Sequence, residues 1–271
     1  MTDEEKKNRI AAVFDTVAAR YDTNHFFSIS AKNLIQCLED SIPSNGSGRM
    51  LDLSTGTGNI ALLAAKRWPD LEIEAVDLSA EMLNQAQKKA AALKSHRIHF
   101  LKEDVENIKY PAGYFDAATC AYGLFFFPRM AETFKKIMTA LKPGAPFVFS
   151  SFSKLAFTPF SDLFTQTIKT YGIEIPKLAD SRLQSPEEIN ALCETCGIDD
   201  IEIHFSEIRY RITPDAWWSL LDSAGYKGLL DQLGPERLPE FKSRHLDEVI
   251  QFSHEGKLLL IADSFYGIAR Q

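Results

Sequence analysis

Leu51-Asp52-Leu53-Ser54-Thr55-Gly56-Thr57-Gly58-Asn59-Ile60-Ala61 is the stretch that decides the fold. The apolar, β-prone run Met50 to Leu53 ends in a turn with two glycines, and Asn59 to Arg67 follows at once with helical spacing of apolar residues. A strand that meets a helix through such a turn opens an α/β sheet and aims the free N–H groups of the helix start at a ligand. Gly56 and Gly58 let that ligand approach the main chain closely.

Outward from the turn the same alternation recurs. Ile73 to Val76, Ile98 to Leu101, Ala117 to Ala121 and Phe147 to Ser150 are short strand-like runs, and Ser79 to Lys94 and Met130 to Leu141 carry helical spacing. Lys142-Pro143-Gly144 marks a turn. The pattern predicts crossover units and a parallel sheet covered on both faces. After Ser151 it loosens: Phe152 to Tyr171 reads as an insertion with a helix from Pro159 onward. Ser185-Pro186-Glu187-Glu188 caps a helix that Gly197 closes. Ile201 to Phe205 reads as a strand, Thr213-Pro214-Asp215 starts a helix bearing Trp217 and Trp218, and Leu258 to Ile268 reads as one final long strand. The stretch between the last two strands is too long for a hairpin loop and is expected to form a helical cap.

Three acids accompany the turn. Asp52, Asp77 and Asp104 each stand at the C-terminal end of a successive strand, the edge where open α/β sheets bind ligands. Asp77 lies 19 residues past Gly58, so the dinucleotide fingerprint also fits. Asp52 separates the two readings, because a carboxylate beside the turn would repel a pyrophosphate but balances the ammonium of S-adenosylmethionine. In this reading the turn takes the cofactor's carboxylate, Asp77 accepts both ribose hydroxyls, Asp104 accepts from the adenine amino group, and Val105 offers a backbone N–H. Singly, each acid is equally well a helix or turn cap. A nicotinamide-dependent oxidoreductase and a non-catalytic adenosylmethionine-binding module remain as alternatives.

Composition narrows the partners. The 271 residues carry a formal charge of -7, with 45% hydrophobic and 25% charged residues, as in an ordinary globular chain. No Lys/Arg cluster is dense enough for a phosphate backbone, which argues against nucleic acid. No apolar run reaches membrane-spanning length and the N-terminus lacks a secretory pattern, so a cytoplasmic protein is expected. The four cysteines make no disulfide framework; Cys193 and Cys196 read as structural, and no metal site is expected.

These residues resemble class I methyltransferases, most closely the group that C-methylates ubiquinone and menaquinone precursors. The glycine turn is similar to the family's first motif, Ala75-Val76-Asp77-Leu78-Ser79 with Met82-Leu83 to its second, and Glu103-Asp104-Val105-Glu106 to its adenine segment. Phe115-Asp116-Ala117, Ala121-Tyr122-Gly123-Leu124 and Leu141-Lys142-Pro143-Gly144 continue it, and Val13 to Asp22 resembles the N-terminal helix whose Tyr21-Asp22 pair closes over the cofactor. Ser54 departs from the usual first glycine of the turn, and Thr213 to Phe252 departs from the short ending of the quinone group. The resemblance implies a Rossmann-like seven-stranded, mostly parallel sheet with helices on both faces and a helical cap. It also implies a single domain over residues 1–271, with a cofactor core at about 45–152 and variable cap segments at about 1–44, 153–184 and 213–252.

The expected cofactor is S-adenosylmethionine, leaving as S-adenosylhomocysteine, and its expected contacts are Tyr21, Asp52, Ser54, Thr55, Gly56, Gly58, Asp77, Leu78, Met82, Asp104, Val105 and Ala121. Methyl transfer from a sulfonium is an in-line displacement that asks for alignment and a dry pocket rather than elaborate catalytic groups. The acceptor is expected to be a small molecule of aromatic or apolar character, faced by Phe26, Phe126 and Trp217. Should the reaction use a base, His25 and Tyr122 are the positions for it by analogy; His96, His99, His204, His245 and His254 receive no role. Core packing is the competing explanation for every one of the aromatic residues.

Overall fold

A computed structural model describes residues 2–39, 41–43, 45–175 and 182–270, so the expected 153–184 segment is described only in part. The chain opens with α1 (Asp3–Val17) and α2 (His25–Leu38), which precede β1 (Gly48–Leu53). There follow α3 (Asn59–Arg67), β2 (Leu71–Asp77), α4 (Ala80–Ala92), β3 (Ile98–Lys102), β4 (Ala117–Ala121), α5 (Met130–Ala140) and β5 (Phe147–Phe152). Strands β1 to β5 pair in parallel in the order β3-β2-β1-β4-β5. The side-chain period of two sends Leu51, Phe147 and Phe149 to one face, against Phe134 and Ile137 of α5. Met50, Ile73 and Val148 go to the other, against Leu34 of α2 and Ile60 and Ala64 of α3. Burying each such large side chain contributes about 1.5–3 kcal/mol, which makes the two-faced apolar strands the main source of the sheet's stability.

The second half adds α6 (Phe160–Lys169), α7 (Pro186–Cys196), β6 (Asp200–Ser206) and β7 (Arg209–Ile212). It continues with α8 (Pro214–Ser223), α9 (Lys227–Leu230), α10 (Gly234–Ile250), β8 (Leu258–Ile261) and β9 (Ser264–Arg270). Strand β9 runs antiparallel between β5 and β6, completing a sheet of seven strands. The expectation of one long strand from Leu258 to Ile268 is therefore corrected: β8 leaves the main sheet and pairs with β7 instead. Asp263 makes the break, because its buried carboxylate takes the Ile208 N–H at 3.0 Å and the Arg209 guanidinium at 2.6 Å, interactions that a continuous strand could not offer. β7 and the N-terminal helix α2 carry no sharp sequence signal and emerge only in the structure.

The cap is helical as expected. Phe164 of α6, Trp217 and Leu221 of α8, Leu230 of α9 and Phe241 of α10 form one apolar cluster with Phe26, Tyr122 and Phe152. Within it the Trp217 indole N–H donates to His245 Nε2 at 2.9 Å, and Phe241 stacks on the imidazole. Cys193 is buried on α7, and among the described residues no group of side chains could hold a metal ion and no helix is long and apolar enough to cross a membrane.

Candidate functional site

The site lies where the resemblance places it, at the C-terminal tips of β1 to β4. Ser54 ends β1 with φ 51° and Tyr122 ends β4 with φ 49°, a region that costs a non-glycine residue on the order of 1 kcal/mol. Ser54 thus holds the backbone that the family's usual glycine would adopt freely. The two tips meet closely, since a Cβ on Gly123 would fall 2.6 Å from the Ser54 Cβ. At φ 80°, with Ala86 3.0 Å from a would-be Cβ, Gly58 packs α3 against α4, and it does not line the chamber or the recess described below.

A chamber of about 110 Å³ opens above these tips, lined by Tyr21, Ser54, Gly56, Asp77, Leu78, Met82, Asp104, Val105 and Ala121 among others. Nine of the expected cofactor contacts thereby come together. Asp77 faces it with one carboxylate oxygen taking the Gly56 N–H at 2.7 Å and the other the Ser79 N–H at 2.8 Å. Burial nonetheless holds its carboxyl above the usual range, against the pull of those N–H donors. Such a carboxylate is rigid and aimed.

Asp52 and Thr55 lie deeper, in an adjoining recess of about 40 Å³ that also touches Tyr21, Ser54 and Gly56. Asp52 is 1% exposed, and its two oxygens accept from the hydroxyls of Thr55 at 2.6 Å and Thr119 at 2.7 Å. Burial pushes its pKa up to about 6 in spite of those hydroxyls. The carboxylate that the sequence assigns to an ammonium is thus already satisfied by threonines, which orient it and soften its charge.

Asp104 departs further from expectation. One oxygen caps the short turn after β3 by accepting the Glu106 N–H at 3.0 Å, and the other is bonded by the Lys7 ammonium and by Asn107 Nδ2 at 3.1 Å. Lys7 also reaches the buried Glu106 at 3.2 Å. Burial opposes the Lys7 charge, but the hydrogen bonds from Asp104 and Glu106 outweigh that cost and raise its pKa. Lys7, Ile10, Ala11 and Phe14, one face of α1, roof the chamber. Sequence reading misses this roof because the i, i+3, i+4, i+7 pattern announces a buried face without saying what it covers.

The Tyr21-Asp22 pair is fixed from below. Asp22 accepts from Thr57 at 2.6 Å, Asn59 at 3.1 Å and Lys89 at 2.7 Å, so it pins the Tyr21 corner to the start of α3. Asp15, which lies in the Val13 to Asp22 stretch but received no role from sequence, accepts from Ser79 Oγ at 2.5 Å and the Glu81 N–H at 3.0 Å, tying α1 to α4.

A second chamber, about 100 Å³, adjoins the first across the shared side chains Phe14, Tyr21, Tyr122 and Phe126. Its remaining walls are Phe26, Phe27, Phe125, Phe152, Phe157, Leu220, Ala224, Gly225 and Tyr226, with no charged side chain among its lining. Phe26 and Phe126 stand where they were expected. Trp217 does not: it is fully buried in the cap core against His245 and lines neither chamber. His25 is exposed, edge-on to Tyr210, and likewise lines neither chamber. The Tyr122 ring is a wall of both, but its hydroxyl shares a 2.8 Å hydrogen bond with the buried Ser264, and burial lifts its pKa well above the ordinary phenol value. A phenol so held stays neutral and serves as a surface, not as a base.

Residues 1–204 match the model of the ubiE/COQ5 methyltransferase family. The chain is 33% identical over 164 residues to the ubiquinone/menaquinone biosynthesis C-methyltransferase UbiE of Geotalea daltonii, covering 59% of this chain and 70% of that one. It is 26% identical over 224 residues to the demethylmenaquinone methyltransferase of Porphyromonas gingivalis, covering 78% and 90%. The crystal structure of the YcgJ protein from Bacillus subtilis shares the fold at a TM-score of 0.57 and 18% identity, covering 89% of this chain and 99% of that one. The family match selects methyl transfer over the nicotinamide alternative, and the chain belongs to the ubiE/COQ5 methyltransferase family.

Proposed function

We propose that this S-adenosylmethionine-dependent methyltransferase acts on an uncharged aromatic ring of the quinol type, seated in the second chamber. One observation carries the reading: a chamber walled by ten aromatic side chains, with no charged side chain in its lining, shares four of them with the chamber over the strand tips. Flat apolar rings fill such walls at the centroid spacings aromatic pairs prefer.

In this reading the first chamber and its recess hold the cofactor through Tyr21, Asp52, Ser54, Thr55, Gly56, Asp77, Leu78, Met82, Asp104, Val105 and Ala121. When bound, S-adenosylmethionine supplies an already activated methyl group on a sulfonium. The protein's task is then alignment and dryness. Asp77, fixed by two N–H donors, is set to take the ribose hydroxyls; the threonine-held Asp52 sets the electrostatics of the recess. Phe14, Tyr21, Tyr122 and Phe126 form the throat that excludes water and presents the ring face toward the strand tips. Asp104 meets the adenine only by sharing it with Lys7, so the roof helix takes part in base recognition. The division into a cofactor core at about 45–152 and cap segments at about 1–44, 153–184 and 213–252 belongs to the same proposal.

The experiment is turnover of methyl-labelled S-adenosylmethionine with 1,4-naphthohydroquinone and with phenols of matching size. Label on a ring carbon, with stoichiometric S-adenosylhomocysteine, is the expected result. Absence of product from every ring acceptor, with cofactor binding intact, would remove the acceptor class and leave the cofactor assignment standing.

A further inference from the structure

Lys7 is the one cation among the described residues that line the cofactor chamber. S-adenosylmethionine is itself net positive, with an ammonium and a sulfonium against a single carboxylate, so a lysine in the wall opposes binding unless its neighbours balance it. Asp104 and Glu106 do so. The Lys7 side chain is 10% exposed, and among the described residues its ammonium makes two hydrogen bonds, to Asp104 and, at 3.2 Å, to Glu106. Glu4, at 3.7 Å, stands beyond hydrogen-bond reach. An ammonium has three donors, which leaves one N–H unspent.

Glu106 is buried outside the chamber lining, whereas Asp104 and Lys7 both belong to it. A ligand therefore meets a carboxylate and a donor side by side. Asp104 follows β3, two strands over from Asp52 on β1, roughly 10 Å at ordinary strand spacing, so this corner lies at the far end from the Asp52 recess.

We propose that Lys7 makes the base corner tolerant at position 6 of the purine, so that the site takes the 6-oxo (inosine) form of the demethylated cofactor as well as the adenosine form. This rests on the reading above that places the purine at Asp104. Adenine offers a 6-amino donor to the carboxylate and asks nothing of the lysine. A 6-oxopurine offers its N1–H to the same carboxylate and its oxygen to the spare ammonium proton, so no polar group is left unpaired. Without Lys7 that oxygen would face Asp104 with no donor, the kind of mismatch by which polar sites reject analogues on the order of 10⁴-fold. The Val105 N–H assigned to the base suits adenine N1 better than N1–H and leaves adenine a modest advantage.

Calorimetry with S-adenosylhomocysteine and S-inosylhomocysteine on wild type, Lys7→Met and Asp104→Ala tests the proposal. In wild type the inosyl compound should bind within about tenfold of the adenosyl one, a gap that depends on no variant folding. In Lys7→Met the gap should widen by at least about tenfold more, while the adenosyl Kd moves only a few-fold and so certifies the fold. A wider gap in wild type, or a smaller widening in Lys7→Met, overturns the tolerance and makes Lys7 an anchor for α1 alone. Asp104→Ala should weaken both compounds about tenfold or more. Adenosyl affinity untouched by Asp104→Ala would mean that the purine lies elsewhere, and the base assignment then falls together with the tolerance built on it.

Discussion

On one side of the wall made by Phe14, Tyr21, Tyr122 and Phe126 stand three carboxylates at strand tips, each met by N–H, hydroxyl or ammonium donors. On the other side stand phenylalanines and a cap turn, with no charge. The polar side is made by short motifs whose spacing the sheet dictates, and it lies wholly within the residues that match the family. The apolar side draws Leu220, Ala224, Gly225 and Tyr226 from beyond that match. The difference teaches that recognition by directed hydrogen bonds fixes residue types, whereas recognition by shape fixes only the volume left between elements that converge from far apart.

The two sides should also respond oppositely to acid, and this is the largest effect expected. In the cap, burial depresses the His245 pKa to about 4 from an ordinary 6.5, so its contribution is whole above pH 6.5 and is lost as pH falls through 4. In the core, burial raises Asp52 to about 6, so its contribution is whole below the ordinary 3.8 and is lost as pH rises through 6. Each is worth roughly 3 kcal/mol at most by linkage. Hydrogen exchange from pH 7 to pH 4 on ligand-free protein should show α8 and α10 loosening while β1 and α3 tighten; uniform loosening of both would dissolve the contrast.

Next in size is Asp77→Ala, expected to weaken S-adenosylhomocysteine binding on the order of 100-fold, from the loss of charge-assisted bonds to both ribose hydroxyls. Calorimetry reads the Kd, and circular dichroism reads the fold; an unchanged Kd removes Asp77 from the sugar site. Phe157→Leu probes the other side of the wall. It should lower kcat/KM for a ring acceptor about tenfold, roughly 1.4 kcal/mol, and leave the cofactor Kd alone. A matching loss of cofactor affinity would mean that the two chambers act as one. The smallest effect belongs to Lys7→Met, which should speed cofactor release a few-fold and flatten its salt dependence by removing the link from α1 to Asp104 and Glu106. Stopped-flow displacement at low and high salt decides it.

The sheet and the polar chamber were legible because both rest on local pattern: strand period, glycine turn, an acid at each strand end. Gly58 was read as a ligand contact because a glycine next to a phosphate-type turn looks the same as one chosen to let Ala86 come near. Lys7 escaped notice, and Phe14 and Asp15 received no role although they lie in the Val13 to Asp22 stretch that carries the resemblance, since nothing in a helix's own sequence says which strand ends it will cover. Leu258 to Ile268 read as one strand because apolar period alone ignores Asp263, whose partner Arg209 is a tertiary matter. Trp217 and His25 were placed by residue type and by neighbourhood in sequence, and the fold put one in the cap core and the other in solvent.

The bonds from Arg20 to Asp222 and from Asn24 to Ser223 span most of the chain's length. During synthesis the roof helix is made first, yet the residues that hold its trailing corner are translated only near the end. A chain halted before Asp222 would lack these two ties to the cap, while Lys7, Asp15 and Asp22 would still have their partners in the core.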